Sequence, residues 1–353
     1  MEETGTIAFV DGLRDAAVRA VGAVIGPGSR CALLGYPNHT NPGDLAIWLG
    51  AQAILARLGA EVVYECSWRD YSPEALAAAA ADGAQIVFTG GGNFGDLWPV
   101  THTLRERVLG EFPGVPFLQL PQSIHFGDAE ALARTRRLVA RHGNVVLMVR
   151  DEMSHAAAMA GSFDADVRLV PDLAFACPLS AAASGPVADI VVIARRDRES
   201  RGLDRAPMEP DVWRIDWNLR EHERGPLDGE SPLPDRVLGL IERNRSLTKR
   251  AVDDGEARLQ LAAVRSDLAR ARLDRGCRIL RRGRVVVTDS LHAHILGVML
   301  GMATVVTDNS YGKLRATYET FTHAAPLAAW ADTPAQALAH ARDIHRHLQR
   351  SRP

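Results

Sequence analysis

The chain has little that would commit it to a metal, a membrane or a polyanion. It holds 4 cysteines in 353 residues, and Cys31, Cys66, Cys177 and Cys277 stand far apart in or near apolar stretches, with no CxxC pair. Reduced core thiols are therefore expected in place of a disulfide framework or a zinc site. Charge of one sign is also missing: 41 Lys and Arg stand against 43 Asp and Glu, a formal net charge of -2. That balance gives no basic face for nucleic acid and no polybasic run for anionic lipid. No apolar run approaches the ~20 residues needed to span a bilayer. The opening MEETGTIAFVDG is acidic and lacks a basic-then-apolar signal, so the expected compartment is the cytoplasm. No HExxH or clustered-carboxylate pattern occurs, and His292 and His294 are two apart on different faces of a helix, so no metal and no resident cofactor are expected. The one glycine run, TGGGNFGD, has neither the GK[ST] of a nucleotide-phosphate loop nor the spacing of a dinucleotide fingerprint, which weakens nucleoside triphosphate and NAD readings.

What is present is an α/β rhythm. Short apolar runs near Cys31, Glu61, Gln85, Pro116 and Val145 alternate with helical patterns, predicting parallel strands covered by helices, with ligand loops at the carboxyl ends of the strands. Between Asp44 and Gly59 the apolar positions Leu45, Trp48, Leu49, Leu55 and Leu58 share one helical face, closed by a glycine of the C-cap type. With 46% hydrophobic residues over this length, two domains are expected. The division falls at the small, proline-containing CPLSAAASGPVA: residues 1–178 form an N-terminal Rossmann-like domain, 189–330 a C-terminal one. Residues 331–353 form a last helix, capped by Thr333 and Pro334, that is expected to pack back on the N-terminal domain. Pro226 to Pro234 reads as a mobile loop.

The loops after the strands collect polar chemistry. Asn38, His39, Asn41 and Asp44 crowd the turn after the Cys31 run, and both turn chemistry with an Asp44 helix cap and a substrate-contacting loop fit them. Gly91, Gly92 and Asn93 follow the next strand, where missing side chains let backbone N–H groups approach a ligand. Gln122 and Ser123 close a third, and Arg150 a fourth, where it serves either a ligand or the following helix through Asp151. The densest stretch is VVVTDSLHAHILGVMLGMATVVTDNSYGK, from Val285 to Lys313. Its pattern predicts strand, helix and strand, with Asp289 and Ser290 as caps of a helix from Leu291 to about Gly301. His292 then lies in the helix's first turn, beside unpaired N–H groups and the positive end of the dipole, a seat for phosphate or carboxylate. His294 reads as a packed residue.

The strings YPNHTNPGDLAIWLG, TGGGNFGDLWP, LPQSIHF, Arg150-Asp151, PDLAF at Pro171, RRDRE at Arg195 and TDSLHAHILGVMLGMATVVTDNSYGK resemble, in order, the polysaccharide pyruvyl transferase family, nearest its exopolysaccharide-biosynthesis branch. The resemblance implies a GT-B-like fold, two Rossmann-like domains facing a cleft. It also implies transfer of the enolpyruvyl unit of phosphoenolpyruvate, as co-substrate, onto two hydroxyls of a saccharide or saccharide-containing acceptor, giving a cyclic ketal and phosphate. His292 becomes the candidate acid. Arg195, Ser290, Lys313 and Asn309 become donor-binding candidates, and Asn38, His39, Asn41, Asp44, Gly91, Gly92, Asn93, Gln122, Ser123 and Arg150 candidates for acceptor or loop contacts. Ser290 departs from the family, which commonly carries arginine two places before the histidine. Two alternatives stand beside this reading, a GT-B-type nucleotide-sugar glycosyltransferase and a non-catalytic saccharide or anion binder, and the Ser290 departure keeps the second in play. Homo-oligomer formation is left open.

Overall fold

The computed structural model describes residues 2–180, 185–206, 209–216 and 234–350. The loop expected at Pro226 to Pro234 falls outside them, except for its last residue, as does the centre of the small-residue connection.

Two parallel sheets organise the chain. The first contains β1 (Arg30–Leu34), β2 (Glu61–Cys66), β3 (Gln85–Phe88), β4 (Gly91–Gly95), β5 (Phe117–His125), β6 (Val145–Val149) and β7 (Asp166–Leu169), in the order β2-β1-β3-β5-β6-β7 with β4 also paired to β5. The second contains β8 (Ile190–Ile193), β9 (Val212–Ile215), β10 (Val285–Thr288), β11 (Ala303–Val306) and β12 (Ala328–Trp330), in the order β9-β8-β10-β11-β12. In each sheet the order reverses beside the first strand, β1 against β3 and β8 against β10. Open α/β sheets bind ligands outside the carboxyl ends of the strands at such a reversal.

The helices are α1 (Glu2–Gly22), α2 (Pro42–Arg57), α3 (Pro73–Ala81), α4 (Pro99–Glu111), α5 (Ala129–His142), α6 (Glu152–Ala160), α7 (Asp235–Arg250), α8 (Gly255–Leu280), α9 (Leu291–Met299), α10 (Lys313–Thr317) and α11 (Pro334–Arg350). The glycine run, read as an open loop, is instead strand β4. Gly91 pairs with Gln122 and Gly95 with His125, so β4 prolongs the line of β3 along the same neighbour β5. Asn41, and not Asp44, caps α2: its side chain accepts from Gly43 N, while Asp44 sits in the first turn and accepts from Asn41 Nδ2 at 2.9 Å. Gly59 takes the left-handed conformation just after α2 and its N–H bonds to Ala56 O, as the sequence suggested.

One core runs between the two sheets. Leu33 and Val87 from the first, Val191, Val286 and Val306 from the second, and Trp48, Leu273 and Ile295 from α2, α8 and α9 belong to a single buried cluster. Each such side chain contributes about 1.5–3 kcal/mol on burial, so the halves are joined by packing and not merely tethered. Within the first half, α2 packs closely on the segment at Leu173, where a Cβ on Gly50 would fall 1.9 Å from Leu173 O. A buried bidentate pair adds a polar bolt, with Arg265 on α8 donating to both carboxylate oxygens of Asp70 at 2.7 and 2.8 Å. The final helix differs from expectation: α11 places Ala337, Leu338 and Ala341 against Val285, Val287 and Val305, on the outer face of the second sheet. Its apolar stripe matches the sheet beside it in sequence, which already presents an uncovered valine face. It is α1 that shares the core between the halves, through Val10, Ala17 and Val21.

Candidate active site

The carboxyl ends of the two sheets meet where α2 and α9 begin. A Cβ on Gly43, at the start of α2, would lie 2.3 Å from His292 Cβ and 2.4 Å from its Nδ1, so the absence of that atom lets one helix start sit against the other. Both N-termini present the positive end of a helix dipole. His292 therefore lies at the junction, 7% exposed, and its Nε2 is 3.3 Å from Arg150 Nη1 and 3.4 Å from Asp172 Oδ2.

Arg150 leaves the end of β6 and is fully buried. Its Nη1 donates to Asp172 Oδ2 at 2.6 Å and its Nε to Ser123 Oγ at 2.9 Å. Ser123 in turn donates to Asp151 Oδ2 at 2.8 Å, and Asp151 Oδ1 caps α6 through Ser154 N. Burial works to raise the Asp172 carboxyl, but the Arg150 guanidinium and then His292 outweigh it and hold the group well below the usual carboxylate range. The remaining nitrogen, Arg150 Nη2, is buried with no hydrogen-bond partner among the described residues. It faces Gly92: a Cβ there would be 3.2 Å from Nη2 and 3.5 Å from Lys313 Nζ. A guanidinium nitrogen without an acceptor, the Lys313 ammonium near the same bare backbone and the His292 imidazole thus gather at one place.

Lys313, at the start of α10, is buried and donates to Glu199 Oε2 at 3.0 Å. The same carboxylate accepts from Asn309 Nδ2 at 3.2 Å, lies 3.2 Å from Arg195 Nη1, and takes Trp98 Nε1 on its other oxygen at 3.3 Å. Burial would raise Glu199, yet Lys313 and Arg195 bring it down to about 2. Glu199 thus gathers three of the residues assigned to the donor. Arg195 is further engaged by both oxygens of Asp197, which leaves it one step behind the gathered cations. Ser290 caps α9 by position, but its side chain makes no capping bond. Asp289 turns away from the helix, accepting from Arg195 N at 2.9 Å, and its other oxygen is buried and unpartnered among the described residues. Burial pushes this carboxyl up to about 7, against the opposing Arg195 N–H.

The residues assigned to acceptor contacts divide into two groups. Gln122 and Asn93 are braces: Gln122 Nε2 donates to Thr89 O and Asn93 Oδ1, and Arg105 donates to Asn93 O and Oδ1. That arginine lies against the Phe88 and Phe94 rings, and burial lowers it to about 9. Asn38, His39 and Asp44 instead line a small cavity beside the α2 start, which Gly90 and the brace Asn93 also border. His39 and Asp44 are 3.5 Å apart there. Gly91 approaches the Asp44 carboxylate, which a Cβ would meet at 3.6 Å. His294 is packed, its ring nitrogens bonded to Thr304 and Thr322 at 2.9 and 2.8 Å, and burial lowers it to about 4. All four cysteines are free and buried.

Sequence reasoning missed Asp172 and Glu199 as site residues. Asp172 lies inside the PDLAF string at Pro171, so a buried acid between proline and an apolar run was its signal. Glu199 ends the RRDRE string that begins at Arg195, so an acid four residues after the arginine was its signal. Among the described residues no group of three or more His, Cys, Asp or Glu is placed to hold a metal ion, and no helix is long and apolar enough to cross a membrane.

A two-sheet parallel α/β protein with buried cationic side chains gathered between the sheets is the class that fold and site define. The chain belongs to the polysaccharide pyruvyl transferase family, whose description it matches over residues 41–311. It is 31% identical to Pyruvyl transferase 1 of Schizosaccharomyces pombe over 305 residues, 84% of this chain and 71% of that one. It is 28% identical to EpsO of Bacillus subtilis, a protein provisionally named a pyruvyl transferase, over 82% of this chain and 85% of that one. In fold it is similar to a crystal structure of an uncharacterised Klebsiella pneumoniae protein, with a TM-score of 0.58 at 17% identity, covering 91% of this chain and 99% of the other.

Proposed function

We propose that the protein is a phosphoenolpyruvate-dependent ketal-forming pyruvyl transferase acting on a saccharide or saccharide-containing acceptor, with the two sheets arranged as in a GT-B enzyme and the reaction placed at a cytoplasmic stage of glycan assembly. The observation that carries the reading is the unpartnered, buried Arg150 Nη2 facing Lys313 Nζ across Gly92, with His292 at 3.3 Å from the same guanidinium. Phosphoenolpyruvate needs cationic partners for its phosphate and carboxylate and an acid near its methylene carbon, and this arrangement can offer both.

The steps balance as follows. His292, protonated, delivers its proton to the methylene carbon, and C2 becomes electrophilic. One acceptor hydroxyl forms a C–O bond to C2 and returns its proton to the imidazole. The C2–O bond to phosphate then breaks, and the second hydroxyl closes the ring while its proton leaves with the phosphate. A bound trianion raises the proton affinity of a nearby imidazole, so the donor helps load its own acid. Arg150, Lys313 and the two helix starts hold the negative charge. Asp172 fixes the Arg150 fork and contacts the imidazole, which makes it a positioning residue. Asp44 and His39, at the cavity beside Gly91, are placed to receive acceptor hydroxyls. Ser290 does not replace a family arginine in charge, and Arg150 supplies that charge from the opposite sheet.

The test is incubation of candidate acceptors with phosphoenolpyruvate, following released phosphate and a mass gain of one pyruvate less one water. Acceptor-dependent release with that gain supports the reading. Release of nucleotide from a sugar nucleotide would favour a glycosyltransferase, and donor binding without turnover on any acceptor a binding protein. His292→Gln should abolish turnover while phosphoenolpyruvate still binds.

A further inference from the structure

The strand that carries Gly92 is held from behind by a buried arginine. β4 pairs with β5 at Gly91, Phe94 and Gly95, but the register shifts between Gly91 and Phe94. Gly92 and Asn93 therefore stand in a bulge, where the ladder is irregular. Side chains from outside the strand take over there. Asn93 N–H donates to Gln122 Oε1 at 3.2 Å, and Asn93 O accepts from Arg105 Nη1 at 2.9 Å. The same guanidinium donates through Nη2 to Asn93 Oδ1 at 2.7 Å and through Nε to Gln119 Oε1 at 2.6 Å. Three residues earlier on α4, His102 Nδ1 accepts from Gly95 N–H at 3.2 Å. Helix α4 thus splints β4 on either side of Phe94.

Arg105 is fully buried, and its bonds run to uncharged acceptors on Asn93, Gln119 and His102. Glu106, the neighbouring carboxylate, is engaged by Arg134 and Thr135 instead. Burying a charge on neutral partners is costly, and an apolar side chain of similar volume would serve packing alone as well or better. A glycine-rich strand, for its part, cannot fix its own backbone, since it has few side chains to pack. The guanidinium supplies that geometry: its planar fork takes hold of both the main-chain carbonyl and the side-chain amide of one residue. Through Asn93 it sets where the bare backbone of Gly92 lies against Arg150 Nη2 and Lys313 Nζ. We propose that Arg105 is a positioning residue for the donor anion, holding the Gly92–Asn93 bulge at the depth that leaves an anion seat between Arg150 and Lys313. The proposal rests on the ketal-transfer reading for the identity of the donor, phosphoenolpyruvate, but not for the anchoring of the bulge.

The test uses the full chain. Arg105→Met removes the fork and keeps the bulk, Arg105→Lys keeps the charge without the planar fork, and Leu109→Ala truncates a buried residue one turn along the same helix as a stability control. Binding of phosphoenolpyruvate and of inorganic phosphate is measured by calorimetry, with melting temperatures beside it and amide hydrogen exchange followed over residues 92–94. Arg105→Met should speed that exchange and weaken binding of both anions by about tenfold or more. Arg105→Lys should recover part of the binding. Leu109→Ala should melt earlier than wild type yet bind both anions equally well. In turnover, Arg105→Met should raise the KM for phosphoenolpyruvate more than it lowers kcat. Should Arg105→Met fail to fold, Asn93→Ala, which removes only the accepting amide, carries the same expectations. A wild type that binds phosphate, loses it in Arg105→Met and never turns over phosphoenolpyruvate sinks the transferase reading and leaves the positioning role standing. Exchange or anion binding in Arg105→Met equal to wild type overturns the role, as does an equal loss of binding in Leu109→Ala. A wild type that binds neither anion overturns it as well.

Discussion

Gly92→Ala adds one methyl group to the anion seat and nothing elsewhere. Gly92 lies in β4 with a φ outside the left-handed region, so alanine takes the backbone without strain. The new Cβ would stand 3.2 Å from Arg150 Nη2 and 3.5 Å from Lys313 Nζ. An anionic oxygen bonded to both nitrogens would lie about 2.8 Å from each, which is nearly the same place. The methyl group and the oxygen exclude one another. Losing one to two bonds to charged groups, at about 1.5–3 kcal/mol each, weakens donor binding by about 3 kcal/mol, or about a hundredfold. The assay is the KM for phosphoenolpyruvate from phosphate release, with direct donor binding beside it and the melting temperature as control. A KM equal to that of wild type, in a variant equally well folded, would show that no donor oxygen sits between Arg150 and Lys313.

Other perturbations have expected outcomes of different kinds. Gly43→Ala drives a methyl group to within 2.3 Å of His292 Cβ and should cost about 1–3 kcal/mol of stability by overpacking along with turnover; denaturation and phosphate release measure the two. Asp289→Asn should stabilise the protein, and more at pH 8 than at pH 5. The folded carboxyl stands at about 7 against an ordinary 3.8, so between those values the folded state keeps a proton that the unfolded state releases, and stability falls as pH rises. The full effect is at most about 4 kcal/mol, and equal gains at both pH values in urea denaturation would contradict the assignment. Glu199 runs the opposite way: lowered to about 2 from 4.5, it stabilises fully above pH 4.5 and loses that contribution as pH falls toward 2. Glu199→Gln should flatten that part of the acid-denaturation curve. Turnover should also persist in excess chelator, measured by the same phosphate assay.

Much of the architecture was legible because strands here are short, apolar and β-branched, as in Val285–Thr288, and because helices are bracketed by recognisable caps. The glycine run misled, since a stretch poor in side chains reads as a loop, while its pairing to β5 is a long-range fact. Helix α11 misled for a related reason: its stripe is evident, but the partner face is not encoded locally. The strings around His292 and Lys313 name those residues but not the groups they face. Asp197 and Glu199 claim the nitrogens of Arg195 only once the loop folds, and the unpartnered nitrogen of Arg150 emerges only when β6, β4 and α9 converge. Buried acids such as Asp172 acquire their role from partners about twenty and more than a hundred residues away.

The central claim is that His292 hands a proton to the donor's methylene carbon in a seat made by Arg150 and Lys313. Its most direct test is the mass of the ketal formed in deuterium oxide, wild type against His292→Gln. The account predicts a product whose methyl group carries a single solvent deuterium from wild type, and no product from a variant that still binds phosphoenolpyruvate. Labelled ketal formed at the wild-type rate by His292→Gln would contradict it.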